Sequence, residues 1–217
     1  MLHAHGEAEI AFYVGVDVGG PEKGQHACVM DGTGRCLEFL HSQAHGLAAR
    51  IVDEFGRNLV VAIDASRMPA PVGSGGPNGT GKWGRACERE VRKLGVNPQW
   101  TPDAGFFETG APDKLARYSW MREGFVLFRE FSGLVGGENV LEVFPSASYG
   151  RFPAGLSARL PLALFGRKTK TDQLDAACCA LTALCFAKGL YREFGDPAEG
   201  TIVVPWDRDA LSHEDPF

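Results

Sequence analysis

The prediction of the fold begins from the stretch EIAFYVGVDVGG, residues 9–20. It is apolar almost throughout, is rich in residues that favour β-structure and ends in a glycine pair, which is typical of a buried strand. A single carboxylate, that of Asp17, interrupts the apolar run near its C-terminal end. Because a buried carboxylate is unfavourable unless it is paired or bound to a metal ion, Asp17 is the first candidate functional residue.

The segments after this strand predict a β-hairpin, a helix and a second buried strand. Residues 25–42 contain two short apolar runs on either side of DGTG, a turn sequence that favours a tight reversal. Residues 45–57 carry apolar side chains at helical spacing, so we expect a helix there. Residues 58–66, NLVVAIDAS, form an apolar run of strand length that is typical of a buried parallel strand.

The second half of the chain predicts mainly helices and loops, with two further strands. The segments are, in order, a Gly- and Pro-rich loop (67–82), two amphipathic helices (83–95 and 113–134), a strand that ends at Pro145 (139–150), an apolar helix (169–184) and a short strand (200–206). No internal repeat or heptad pattern accompanies them.

This alternation of strands and helices predicts an α/β fold, with a mixed β-sheet flanked by helices. We expect one domain over residues 8–205, with a mostly helical insertion at about 67–136 after the fourth strand and a loose C-terminal tail at 206–217. The first three strands should form an antiparallel meander, and Asp17 and Asp64 should lie on adjacent parallel strands.

Three of the predicted strands each carry one acidic residue near their C-terminal ends. These residues are Asp17, Asp64 and Glu142. The strands themselves contain no Arg or Lys that would neutralise the three carboxylates. Since ligands of α/β sheets bind beyond the carboxyl ends of the strands, we expect the three acids to converge on one site.

Two more acids, Asp172 and Asp175, stand at the start of the apolar helix predicted over residues 169–184. A spacing of three residues places them on one face of that helix. One interpretation is capping, with Asp172 at the N-cap and Asp175 at the third helical position. The other is that both carboxylates join the strand acids in a metal site.

A site with this many carboxylates requires cations to offset their mutual repulsion. Mg²⁺ or Mn²⁺ is favoured because hard cations prefer oxygen ligands, and the Cys and His residues lack the spacing of a zinc site. Two ions are expected, because a pair of ions stabilises the attacking and leaving oxygens in phosphoryl transfer. The candidate ligands are the five acids Asp17, Asp64, Glu142, Asp172 and Asp175.

Several motifs resemble the ribonuclease-H-like superfamily and, within it, domain-of-unknown-function family 429, whose members are predicted RNase H-like nucleases. The motifs are GVDVGG, AIDAS, GRACEREVRKLG, LEVFPSASY, KTKTDQLDAACCALTA and GDPAEGTIVVP, in that order. The resemblance implies an RNase H-like fold and a metal-dependent nuclease that hydrolyses phosphodiester bonds of a nucleic acid. It also implies Asp17, Asp64, Glu142 and Asp175 as catalytic acids, with Asp172 as an auxiliary ligand. The family has a shorter link after the second acid, so residues 73–82 are a local elaboration.

Two other classes of function are compatible with the same residues. One is a non-catalytic nucleic-acid-binding or scaffold protein that keeps the RNase H-like fold. The other is an ATPase-like protein that binds nucleotide phosphates, suggested by G-x-x-x-x-G-K at residues 76–82. Trp83 follows this motif where a phosphate loop needs Ser or Thr, and an actin-like ATPase needs two such domains, so this alternative is the weaker one.

Binding of a nucleic acid must depend on local basic patches, because the formal net charge of the chain is −5. Arg167, Lys168 and Lys170 precede the acid pair of the last long helix, and Arg85 and Arg89 lie on the helix predicted over residues 83–95. We expect these five residues to bind substrate phosphates on either side of the acids. Glu88 and Glu90 on the same helix are expected to be solvated.

The remaining features concern the cellular setting of the chain. The six cysteines form no CxxC pair and sit mainly in apolar segments, which indicates free core thiols in a reducing compartment. The sequence contains no apolar run of membrane-spanning length, and its N-terminus does not resemble a signal peptide. These features predict a cytoplasmic protein with no membrane partner, and they leave the oligomeric state open, including a homodimer.

Overall fold

The structure is a computed structural model that describes residues 10–43, 45–72, 84–160 and 171–206. The strands are β1 (Phe12–Val18), β2 (Gln25–Asp31), β3 (Cys36–Ser42), β4 (Leu59–Asp64), β5 (Val140–Val143), β6 (Tyr191–Asp196) and β7 (Gly200–Pro205). The helices are α1 (Leu47–Phe55), α2 (Ala86–Arg92), α3 (Ala104–Thr109), α4 (Pro112–Arg117), α5 (Ser119–Val135), α6 (Pro145–Ser148), α7 (Ala154–Ser157) and α8 (Thr171–Ala187), and a 3₁₀ turn (Gly137–Asn139) precedes β5.

The strands form one seven-stranded mixed sheet in the order β3-β2-β1-β4-β5-β7-β6. Strands β1, β2 and β3 pair in antiparallel fashion, whereas β4 lies parallel to both β1 and β5. The α/β class, the mixed sheet flanked by helices and the meander of the first three strands are therefore confirmed. Strand β6, an edge strand that pairs antiparallel with β7, was not predicted because its sequence YREFGD is polar.

Helices cover both faces of the sheet. Successive side chains of each strand point to opposite sides, and both sides contribute to a hydrophobic core. On β1, Tyr13 belongs to the core that packs against α8, whereas Val14 and Val16 belong to the core that packs against α1 and α5. The face toward α8 is called the α8 face below, and the other is called the α5 face. All six cysteines are free and five of them are buried, as predicted for core thiols.

Helix α8 lies unusually close to β1 because β1 carries Gly15 at the crossing point. A Cβ atom at residue 15 would overlap the backbone of Ala176 and Ala180 and the side chain of Cys179. Only glycine permits this approach without a shift of the helix. The N-terminal turn of α8 is consequently held directly above the C-terminal end of β1.

The segment between β4 and β5 carries helices α2 to α5 in its described part, in agreement with the predicted helical character of the insertion. Helix α5 packs back on the sheet, and α2 packs against β6 and β7 through Cys87 and Val91. Among the helices described by the structure, none has the length and apolarity needed to cross a membrane.

Candidate functional site

Ionisable residues form an in-register row across four neighbouring strands at the C-terminal end of β1. Asp17 on β1 is the direct partner of Asp64 on β4 and of His26 on β2, and His26 is in turn the partner of His41 on β3. The prediction that Asp17 and Asp64 lie on adjacent parallel strands is thus confirmed. Neighbouring strands lie about 4.8 Å apart, so the two carboxylates project from almost the same point of the α8 face.

The N-terminal end of α8 brings two further carboxylates above this row. Asp172 Oδ1 accepts a hydrogen bond of 2.5 Å from Lys23 Nζ, and its Oδ2 lies 3.9 Å from Nδ1 of His26. One turn later, Asp175 Oδ1 accepts a hydrogen bond of 2.8 Å from the hydroxyl of Tyr149. Asp172 lies within the helix rather than before it, so the arrangement differs from the capping interpretation.

Asp17, His26 and Asp172 form a group with the dimensions of a metal site. One ligand atom from each residue lies within 4.8 Å of the corresponding atoms of the other two. Asp17 is 8% exposed, and its Oδ2 is buried without a hydrogen-bond partner, as is Nδ1 of His26. Buried polar atoms are rarely left unpaired, so these two atoms mark a position where a cation would be accommodated.

Burial and mutual repulsion raise the pKa values of three of the carboxyl groups. Burial raises the pKa of Asp17 to about 7, with Asp175 and Asp172 adding to the effect and Lys23 opposing it. Burial, followed by repulsion from Asp17, raises the pKa of Asp64 well above its usual range. Burial also raises the pKa of Asp175, against the hydrogen bond from Tyr149. A divalent cation would relieve this repulsion and favour the ionised forms.

The pKa values of the two basic side chains of this site are shifted in opposite directions. Burial, reinforced by the neighbouring His41, lowers the pKa of His26, which favours a neutral imidazole at neutral pH. Partial burial alone would lower the pKa of Lys23, but the hydrogen bond to Asp172 and the attraction of Asp17, Asp172 and Asp175 together raise it. Lys23 is therefore the cation that balances the acidic residues in this structure, while His26 offers an uncharged nitrogen.

Glu142 does not join these residues, contrary to the predicted convergence of the strand acids. Its register partner on β4 is Ile63, and Ile63 points to the α5 face, whereas Asp64 points to the α8 face. The carboxylate of Glu142 accepts hydrogen bonds from both terminal nitrogens of Arg85 and from the backbone N–H of Arg67. Glu142 and Asp64 only share the lining of a small cavity of about 60 Å³ at the strand ends.

Arg85 lies inside the fold rather than on an exposed basic face, which corrects its predicted placement as a phosphate ligand. It is 1% exposed, and its guanidinium contacts Glu142 and Glu88. Burial disfavours its charge, but Glu142 outweighs this effect, so the pKa of Arg85 is raised. The expectation that Glu88 is solvated is wrong, because Glu88 is 2% exposed and also accepts hydrogen bonds from Thr101.

The other predicted phosphate ligands fall in two groups. Arg89 is half-buried, and its guanidinium donates a hydrogen bond to the carbonyl oxygen of Gly84. Arg167, Lys168 and Lys170 lie outside the described residues, as does the Gly-rich loop at 73–82. Within the described part of the chain, neither Arg85 nor Arg89 forms a hydrogen bond or ion pair with Asp17, Asp64, Asp172 or Asp175.

Four residues of the site were missed by the sequence analysis: Gly15, Lys23, His26 and Tyr149. Gly15 and Lys23 belong to the same β1–β2 segment as Asp17, and only the glycine in an otherwise apolar strand carried a local signal of close packing. His26 and Tyr149 are joined to the acids by strand register and by a contact across 26 residues.

Comparison with family models, with curated proteins and with solved structures found no match to this chain, so the site stands on its own geometry.

Proposed function

We propose that the protein is an RNase H-like, metal-dependent nuclease that hydrolyses phosphodiester bonds of a nucleic acid. The observation that carries the proposal is the in-register pair Asp17 and Asp64, with Asp172 and Asp175 above it and with Asp17 Oδ2 buried and unpartnered. Divalent cations stabilise such a group of carboxylates in its ionised form, and the phosphate backbone of a nucleic acid is a substrate that those cations attract.

The topology supports the same proposal. An antiparallel meander followed by a parallel strand beside β1 is the arrangement expected from the resemblance to RNase H-like nucleases. The acids lie at the C-terminal ends of β1 and β4, the edge at which α/β sheets bind ligands. The late helix α8 then delivers its first turn to that edge, as the motif with Asp172 and Asp175 implies.

The residues present fit a site for Mg²⁺ or Mn²⁺, held by Asp17, Asp64, Asp172 and Asp175. When bound, two such ions would supply an activated water and would stabilise the leaving oxygen. Glu142 is not in a position to share this duty while its carboxylate is paired with Arg85. Glu142 instead accepts a hydrogen bond from the backbone N–H of Arg67, three residues after Asp64. This bond positions the turn that follows Asp64.

The protein side chains around the acids have separate tasks in this proposal. Tyr149 orients the carboxylate of Asp175 through its hydroxyl. Lys23 reaches Asp172 from the loop between β1 and β2 and is half-exposed, so it lies where an incoming phosphate would meet a positive charge. The raised carboxyl pKa values mean that cation binding is accompanied by proton release.

The test is incubation of the purified protein with single-stranded, duplex, hybrid and branched nucleic acids in Mg²⁺ or Mn²⁺. Cleavage is expected with wild type and with Asp53→Asn, a control that changes an exposed carboxylate on α1. Cleavage should be abolished by Asp17→Asn and by a chelator. Equal cleavage by wild type and Asp17→Asn would show that a contaminant is responsible and would reject the proposal.

One observation favours a second candidate, a nucleic-acid-binding protein with a silent site. The ammonium of Lys23 already neutralises Asp172, which is the arrangement expected if a side chain replaces the cation. This candidate predicts nucleic-acid binding without cleavage, with equal affinity in the presence of a chelator and of Mn²⁺.

A further inference from the structure

We propose that His26 is a nitrogen ligand of the metal site, so that the site is a mixed nitrogen and oxygen site that favours a first-row transition ion such as Mn²⁺ over Mg²⁺. This inference rests on the proposed function, because it concerns the ion held by Asp17 and Asp172. It goes beyond that function by adding a ligand from β2 and by specifying the class of ion.

The position of His26 follows from the strand register. His26 is the direct partner of Asp17, so both side chains leave the sheet on the α8 face. Helix α8 then places Asp172 over the pair, and the three ligand atoms lie within 4.8 Å of one another. Two neighbouring strands and one helix therefore supply one ligand each, which is a rigid framework for a metal ion.

The separation between His26 and Asp172 fits coordination better than a direct bond. Nδ1 of His26 lies 3.9 Å from Oδ2 of Asp172, too far for a hydrogen bond. Ligand atoms that share one ion at bonds of about 2.1 Å lie roughly 3 to 4 Å apart. An ion between the two atoms would therefore bind both with little movement of either side chain.

The unpartnered atoms of the site point to the same conclusion. Asp17 Oδ2 and His26 Nδ1 are both buried and lack a hydrogen-bond partner, although each belongs to a group that normally finds one. Asp172 uses Oδ1 for Lys23 and directs Oδ2 toward His26. In the tautomer of His26 that carries its proton on Nε2, one lone pair from each of the three residues is available to a common electron-pair acceptor such as a metal ion.

An ordinary structural role explains less of this arrangement. His26 does stack on His41, with ring centroids 4.4 Å apart, and His41 Nε2 lies 3.0 Å from the carbonyl oxygen of Lys23. Stacking accounts for the plane of the His26 ring, but it leaves Nδ1 without a bond. In the metal-bound form the same stacking would hold the ring in the orientation that coordination requires.

The nature of the ligand decides the choice of ion. Carboxylates alone suit Mg²⁺, Ca²⁺ and Mn²⁺, whereas an imidazole nitrogen shifts the preference toward first-row transition ions. Mg²⁺ prefers oxygen ligands and retains several waters, so it gains little from His26. Mn²⁺ accepts both oxygen and nitrogen ligands and is paramagnetic, which makes it the suitable probe.

The test uses the untagged full chain with Mn²⁺ and Mg²⁺ as the only added ligands. Pulsed electron paramagnetic resonance of bound Mn²⁺ should show a coupling to ¹⁴N in wild type. Titration calorimetry should show that His26→Gln weakens Mn²⁺ binding by about tenfold or more, the scale observed even for loss of an outer-shell partner. Mg²⁺ affinity should change less. The matched control is His45→Gln, which changes an exposed imidazole before α1 and should retain both the coupling and the affinity.

The outcomes separate this inference from the proposed function. Tight Mn²⁺ binding without ¹⁴N coupling in wild type, or with unchanged ion preference in His26→Gln, would overturn the role of His26 while leaving a carboxylate site intact. Absence of Mn²⁺ binding by wild type, or equal binding by Asp17→Asn, would overturn the metal site itself. The coupling is measured on wild type, so the result does not depend on how well a variant folds.

Discussion

Arg85 and Glu142 form a buried ion pair that joins the start of α2 to the end of β5. Arg85 Nη1 donates a hydrogen bond of 2.8 Å to Glu142 Oε2, and Nη2 donates a second one to Oε1. Because Glu142 Oε2 also accepts the backbone N–H of Arg67, the pair fixes the turn that follows Asp64. The pair thus supports the site from the α5 face, opposite to the face on which the site lies.

Removal of the Arg85 guanidinium should strongly destabilise the fold. Arg85→Met would leave Glu142 and Glu88 buried without their positive partner, and breaking a buried ion pair typically costs about 3–5 kcal/mol. Urea unfolding should show this loss in the free energy of unfolding. The control is Arg92→Met on the same helix, an exposed side chain over Trp100, for which the loss should stay near or below about 1 kcal/mol. Equal stability of the two variants would contradict the buried position of Arg85.

A methyl group at residue 15 should separate α8 from β1. Gly15→Ala forces the backbone of Ala176 and Ala180 away, and overpacking of this kind costs about 1–3 kcal/mol or more. The matched control is Gly133→Ala on α5, where an added Cβ meets no atom within 4 Å and alanine should stabilise the helix by about 1 kcal/mol. Thermal unfolding gives both values. A shift of the same sign in the two variants would argue against the close approach of α8.

Asp17 should make the metal-free protein less stable as the pH rises. The folded pKa is raised from 3.8 to about 7, so between these values the folded state binds a proton that the unfolded state has lost. The resulting stabilisation is fully present below the lower value and is lost as the pH passes the upper one. At about 1.4 kcal/mol per unit of pKa, the loss amounts to several kcal/mol.

Asp17→Asn removes this contribution, so with chelator present the variant should be more stable than wild type at pH 8. The measurement is urea unfolding from pH 4 to 8, with Asp53→Asn as the control that should follow the wild-type curve. Parallel curves for wild type and Asp17→Asn would mean that Asp17 titrates normally. Added Mn²⁺ should stabilise wild type and leave Asp17→Asn nearly unchanged, since only the form that binds the ion is stabilised.

Lys23 should compete with divalent cations for the acidic residues. Its ammonium binds Asp172 at 2.5 Å, so Lys23→Met removes a positive charge that repels an incoming ion. The side chain is 53% exposed and therefore screened by solvent, so we expect Mn²⁺ affinity to increase by about fivefold, equivalent to about 1 kcal/mol. Calorimetric titration measures the change, and the control is Lys188→Met, an exposed lysine that follows the opposite end of α8 from Asp172. Weaker Mn²⁺ binding by Lys23→Met would show that Lys23 helps to assemble the site instead.

The order of the elements and the Asp17–Asp64 pair of the acidic site were predictable from local signals in the sequence. Apolar runs and turn sequences are local signals, and they were sufficient to predict the meander, the parallel strand β4 and the pairing of Asp17 with Asp64. The two acids at the start of α8 could also be identified from the sequence, because they are the charged residues of an otherwise apolar helix. Acids at strand ends and at a helix start could therefore be assigned to one edge of the sheet.

Which side chains lie on the same face at that edge depends on tertiary packing. Glu142 looks equivalent to Asp17 and Asp64 in the sequence, yet a register offset of one residue turns it to the α5 face. Its partner Arg85 lies 57 residues away along the chain, and His26 joins Asp17 only through the pairing of two strands. Register and burial result from packing over the whole sheet, whereas local patterns specify only that a strand or helix forms.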